Sequence, residues 1–199
     1  MKTFLHVGCG PMQKDGTTRT FNTSEWKEIR FDIDESVNPD VIGTMVNMSA
    51  VATDSVDAIF SSHNIEHLYP HEVPLALGEF LRVLRADGVA IITCPDLQSI
   101  CTLVVNDGLT EPAYMSSVGP ISPIDVLYGH RVPMANGNLY MAHRTGFTQK
   151  TLANALSEAG FQAVVTDVRP QHFDIWAVAT KSPRSNQELI ELAEAHFPY

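Results

Sequence analysis

Positive charge is scarce in this chain. Thirteen Lys and Arg stand against 23 Asp and Glu in 199 residues, a formal net charge of −10, and no run of basic residues occurs. Affinity for nucleic acid comes largely from neutralised phosphates, so a nucleic-acid substrate is not expected. Cysteine is also scarce. Cys9, Cys94 and Cys101 form an odd set without CxxC spacing, which leaves no disulfide framework and no thiolate metal centre. Long hydrophobic runs are missing: the longest match a core strand, against the ~20 residues needed to span a bilayer, and the opening MKTFLHVGCG runs straight into glycines. No membrane anchor or signal peptide is expected, and the expected compartment is the reducing cytoplasm.

What remains is ordinary globular composition, 44% hydrophobic and 18% charged. Domains run to roughly 100–200 residues, so a single domain over 1–199 is expected. Thr3–Val7 reads as a buried strand ending in Gly8-Cys9-Gly10, where glycine permits a tight turn and close approach of backbone to a ligand. Lys14–Ser24 has no helical apolar period, so the helix that usually follows such a turn is expected to be short or absent. Ile29–Ile33, Val41-Ile42 and Val56–Phe60 read as the next strands. A helix with Val73, Leu77, Phe80, Leu81 and Leu84 on one face is expected to stop at Asp87-Gly88, before the buried run Val89–Thr93.

Thr148 caps a later helix that ends at Gly160, and strands follow near Ala163–Val168 and Ile175–Thr180. Ser185-Asn186-Gln187-Glu188 is a capping box opening a final amphipathic helix to about His196. Its stripe Leu189, Ile190, Leu192 and Ala193 reads as core packing, with a homodimer contact as the alternative. Between Asp96 and Gly146 the pattern loosens around several prolines, over a length too great for a plain connection. Short helices are expected there at Leu97–Val105, behind an Asp96 cap, and after Ser122-Pro123-Ile124-Asp125. With Leu103, Val104, Val126 and Leu127 as anchors, residues 96–146 are expected to form a substrate-side lid.

A glycine turn after the first strand, with an acidic residue ending the second roughly 20 residues on, suits an adenosine-type ligand at the carboxyl edge of a sheet. The glycines make room and the carboxylate takes ribose hydroxyls. Gly8, Gly10 and Asp32 fit that arrangement, with Asp34 as the neighbouring candidate. The third glycine of a dinucleotide fingerprint is missing from GCGPMQ, which argues against NAD.

Taken in order, LHVGCG, RFDID, PDVIGTM and VDAIFSSHNIEHLYPHEVPLALGEFLRVLRADGVAIITCPDL resemble the class I S-adenosylmethionine-dependent methyltransferase family, particularly its compact bacterial members. The resemblance runs from Thr3 to about Asp96, with AGF at 159–161 as an echo. It implies an α/β fold: a doubly wound, Rossmann-like sheet, mostly parallel with an antiparallel C-terminal strand. It implies S-adenosyl-L-methionine as cofactor, with Gly8, Gly10, Asp32 and Asp34 around it. Thr44 and Met45 fall where the family contacts adenine, Met48 less directly, and Ser62 and His63 lie toward the methionine end. Two departures stand out: His6 occupies a position that is often acidic, and the first helix is eroded.

The string His63-Asn64-Ile65-Glu66-His67 fits H-x-x-E-H, a zinc-binding pattern of inverted metalloproteases. That pattern needs both histidines on one continuous helix and a further distant ligand. Pro70 and Pro74 crowd the region, so no metal is expected, and Glu66 and His67 are expected to support the loop by hydrogen bonding. His130 and His143, with Tyr114, Tyr128 and Tyr140, fall in the lid segment. His63, His130 and His143 are the candidate bases, since oxygen methylation benefits from removal of the hydroxyl proton. The expected partner is a small-molecule or saccharide-like acceptor, with no membrane. A non-catalytic binding module that keeps the fold, and perhaps the cofactor, is the alternative.

Overall fold

The computed structural model describes residues 1–116 and 118–198. Ser117, inside the 96–146 segment, and Tyr199 lie outside them. The apolar run of β1 (Lys2–Val7) forms the centre of the parallel sheet, between β2 (Trp26–Asp32) and β4 (Val56–Ser62). β3 (Val41–Ile42) extends one side and β5 (Leu84–Pro95) the other. The two last strands, β8 (Ala163–Arg169) and β9 (Asp174–Thr180), complete the seven-stranded order β3-β2-β1-β4-β5-β9-β8. β9 runs antiparallel to both of its neighbours, as expected. Strand order reverses between β1 and β4, and the crevice beyond their carboxyl ends is where open α/β sheets bind ligands.

Helices α1 (Val73–Val83) and α5 (Gln149–Ala159) cover one face, packing Leu77, Phe80, Leu152 and Leu156 onto Leu5, Ile59 and Ile92. α1 ends earlier than the Asp87-Gly88 signal predicts. Leu84 adopts extended backbone and pairs with Val56, and the loop before β4 takes the terminal helix carbonyls: Asp54 and Ser55 N–H groups donate to Arg82 and Val83. β2 likewise begins at Trp26 and closes at Asp32, leaving Ile33 46% exposed beyond the strand.

The other face lacks a crossover helix after β1, as the weak periodicity predicts; only a single turn forms, at Lys14–Gly16. Phe21 covers it instead, stacked on Phe4 at 4.4 Å, together with α6 (Asn186–His196). Thr18 Oγ1 lies 2.9 Å from His196 Nδ1, and Thr20 Oγ1 donates to the Ala195 carbonyl at 2.5 Å. Ala193 is buried against the sheet while Ile190 is 49% exposed, so the predicted stripe is only partly core.

The segment after β5 holds α2 (Leu97–Val105), whose Asp96 cap accepts from Gln98 and Ser99 N–H groups. A hairpin of β6 (Tyr114–Ser116) and β7 (Gly119–Ile121) follows, then α3 (Pro123–Tyr128) and α4 (Arg131–Ala135). Ile100, Ile121 and Val126 form a small core there with Phe173, from the β8–β9 turn. Leu103 and Val104 are only partly buried. Among the described residues, no helix is long and apolar enough to cross a membrane.

Candidate active site

Gly8 and Gly10 sit in left-handed backbone, at φ 64° and 50°. A Cβ on Gly8 would lie 2.0 Å from Asn64 Oδ1, because the Asn64 amide crosses the turn and donates to the carbonyls of Val7, Gly8 and Ser62. At Gly10 nothing lies within 4 Å of that position, so the turn opens onto free space. Asp32 holds the turn in place: Oδ2 accepts from the Gly10 N–H at 2.7 Å and Oδ1 from the Asp34 N–H at 2.9 Å. Each oxygen keeps capacity for a further donor. Asp34 instead caps the following turn, accepting from the Ser36 N–H at 2.9 Å, and hydrogen bonding from the Ser36 side chain, then from its backbone, holds the carboxyl below the usual range.

Buried Arg30 braces the glycine turn. Its guanidinium donates to the carbonyls of Gly10, Met12, Val37 and Asn38, stitching the glycine turn to the loop after β2. His6 does not face the cleft. It is buried with Nδ1 2.7 Å from Glu28 Oε1, and burial draws its pKa below the ordinary histidine value despite that carboxylate. Burial also pushes the Cys9 thiol up to about 11, which leaves it inert.

These elements wall a cleft of ≈ 430 Å³, within the usual range of cofactor sites. The structure brings Gly8, Gly10, Asp32, Asp34, Thr44, Met45, Ser62 and His63 together in its lining. Met48 is fully buried in the core and does not line it. Tyr140 and Arg144, from the inserted segment, line it too, as does Asn64, unforeseen in the sequence. The Arg144 guanidinium lies 4.9 Å from the centre of the Tyr69 ring.

A second cavity, of ≈ 220 Å³, lies beneath the inserted segment. His63, His130, His143 and Tyr114 all line it, so the three candidate bases converge on one space. His63, His67 and Met141 line both cavities and form their common wall. His63 is held at φ 53°, with Nδ1 3.5 Å from Glu66 Oε1 and a side chain 46% exposed. Partial desolvation in the cleft lowers the His63 pKa, but the Glu66 carboxylate outweighs it and leaves the value raised. Burial raises that of Glu66, and the neighbouring His63, His67 and His143 bring it below the ordinary value. His143 is lowered by burial. The H-x-x-E-H string forms no continuous helix; its second half is a single turn at Ile65–His67.

The reversed strand order, the glycine turn and the carboxylate closing β2 define a Rossmann-like domain with a nucleoside-sized cleft at its carboxyl edge. Residues 5–92 match the family model described as a methyltransferase domain. No curated protein matches the chain. Among solved structures, a SAM-dependent methyltransferase from Archaeoglobus fulgidus is 14% identical over 90% of this chain and 86% of its own, with a TM-score of 0.58. One from Aquifex aeolicus is 15% identical over 91% and 82%, with a TM-score of 0.55. The 1,6-didemethyltoxoflavin-N1-methyltransferase of Burkholderia thailandensis, solved with bound 1,6-didemethyltoxoflavin and S-adenosylhomocysteine, is 14% identical over 91% and 71%, with a TM-score of 0.57. At such identities the structural likeness is one of fold. The match to the methyltransferase-domain model over residues 5–92, together with this shared fold, supports a class I S-adenosylmethionine-dependent methyltransferase with S-adenosylmethionine as cofactor.

Proposed function

We propose that the enzyme methylates a small-molecule or saccharide-like acceptor at oxygen, inside the cavity beneath residues 96–146. The observation that carries this reading is the common wall: His63, His67 and Met141 border both the cofactor cleft and the second cavity. An acceptor in the second cavity therefore stands next to the first across these three residues. The bound cofactor supplies a methyl group on a sulfonium, activated for in-line displacement.

The chain's own residues bind and align. Gly8 and Gly10 admit the cofactor against the backbone, Asp32 and Asp34 offer carboxylates to the ribose, and Thr44 and Met45 flank the adenine. Ser62 and His63 stand at the methionine end. Alignment and exclusion of water contribute several kcal/mol to such a displacement. His63, fixed by the Glu66 carboxylate, takes the acceptor's hydroxyl proton; His130 and His143, which line the same cavity, orient the acceptor. The inserted segment acts as the lid, its small core docked on Phe173. A net charge of −10 favours a metabolite over a nucleic acid. The three cysteines are free, which suits the cytoplasm.

A panel of hydroxylated and amine-bearing metabolites, scored by S-adenosylhomocysteine release, tests this reading. Hydroxyl acceptors are expected to turn over, with methyl recovered on oxygen. Turnover confined to amines, unaffected by His63→Ala, would overturn it.

A further inference from the structure

We propose that Glu66, His67 and His143 bind a divalent transition-metal ion in the cavity beneath the inserted segment. Glu66 is 1% exposed, and neither carboxylate oxygen has a hydrogen-bond partner; its one ion-pair neighbour is His63, with Nδ1 3.5 Å from Oε1. A buried ionised carboxylate so thinly compensated is costly, and the site calls for a further positive group. Two more imidazoles adjoin it. Nδ1 of His67 lies 3.1 Å from the Ala142 carbonyl oxygen, and Nδ1 of His143 lies 2.7 Å from that of Val126. A carbonyl only accepts, so Nδ1 carries the proton in both rings, and each neutral ring keeps a lone pair on Nε2. A backbone carbonyl holding the far nitrogen is the usual outer support of a metal-ligating histidine.

One donor atom from each of the three residues lies within 4.8 Å of the others. Tetrahedral ligation at about 2.1 Å sets donors about 3.4 Å apart, a closure within reach of small side-chain rotations. Two imidazoles and one carboxylate are the ligand set of catalytic zinc and of non-haem iron, which keep a position open for water or substrate. All three residues line the cavity, so that position faces the space assigned to the acceptor. The ion's role as an oxygen-polarising centre rests on that assignment; its binding does not. A carboxylate has two oxygens, so ligation is compatible with the contact to His63.

The expectation of no metal assumed that His63 and His67 would have to share a helix and that a third ligand was missing. The structure replaces that arrangement: Glu66 and His67 share one turn, and the inserted segment brings His143 to them.

The test is metal analysis of tag-free protein purified without chelator. About one transition-metal ion per chain is expected, lost in His67→Ala and in His143→Ala but kept in His71→Ala, an exposed residue outside the cluster. After chelation, Zn²⁺ or Co²⁺ should reload the wild type, and Co²⁺ should give visible absorption bands that both variants lack. Stabilisation by S-adenosylhomocysteine checks that each variant is folded, and His143→Gln serves where the alanine variant is not. Metal content needs no acceptor, so a failed acceptor assignment leaves the result standing. Protein that is metal-free and takes up neither ion, or metal retained in folded His67 and His143 variants, overturns the proposal.

Discussion

The main-chain N–H of Arg144 donates to the carbonyl oxygen of Glu66 at 2.8 Å, tying the far end of the inserted segment to the turn after β4. The Thr145 N–H reaches the same carbonyl at 3.2 Å. This link sets His143 beside His67, with ring centres 4.9 Å apart, and closes the second cavity against the first. The cluster therefore depends on the insert being docked.

Replacing Asp32 by Ala should weaken S-adenosylhomocysteine binding by about 1–3 kcal/mol, through loss of a charged acceptor and release of the Gly10 turn. Asp34→Ala should cost less, because that carboxylate is occupied with Ser36. Calorimetric titration of both variants decides it; an unchanged affinity in Asp32→Ala moves the ribose contact to Asp34.

Loss of the His63 imidazole should lower turnover by about 10²–10⁴-fold while leaving the affinity for S-adenosylhomocysteine nearly unchanged, since a base on the acceptor side acts after the cofactor is seated. His130→Ala should act mainly on KM. Wild-type turnover in the His63 variant would pass the role of base to His130.

Gly8→Ala meets two obstacles, the left-handed backbone and the Asn64 amide. The first costs about 1–2 kcal/mol, and the second adds to it. In an Asn64→Ala background only the backbone cost should remain, so a double-mutant cycle read by urea unfolding should show coupling of about 1 kcal/mol or more. Strict additivity would mean that Asn64 does not press on the turn.

Burial lowers the His196 pKa to about 4 from the ordinary 6.5. Between these values the unfolded chain takes up the proton first, so this residue's contribution to stability is full above pH 6.5 and is lost as the pH falls toward 4. The integrated effect is about 3 kcal/mol. In denaturant titrations, the stability advantage of the wild type over His196→Asn should shrink by about that amount across the window. A constant difference would show that His196 titrates normally in the folded protein.

Much of the sheet is legible in the sequence because its signals are local. Apolar runs bounded by glycine and aspartate locate the strands, and caps such as Asp96, Thr148 and Ser185 fix helix starts. The early end of α1 escapes notice because a loop from before β4, rather than a glycine turn, satisfies its terminal carbonyls. The hairpin at 114–121 and α4 are short and lack a clear period. The cofactor cleft is readable because its glycines and aspartates follow strand ends in a fixed order. Arg30, Asn64 and the grouping of Glu66 with His143 are not, since each depends on contacts between distant segments.

The docking of α6 on the loop around Thr18, across 178 residues of sequence, bears on the order in which the protein matures during synthesis. The loop that forms the glycine turn emerges early, yet its inner face is covered only when the last helix arrives. Contacts so distant along the chain are among the slowest to form. The cofactor cleft is therefore built on a floor that is laid last, and a nascent chain halted before α6 would carry Phe4, Phe21 and Phe60 open to whatever chaperone meets it.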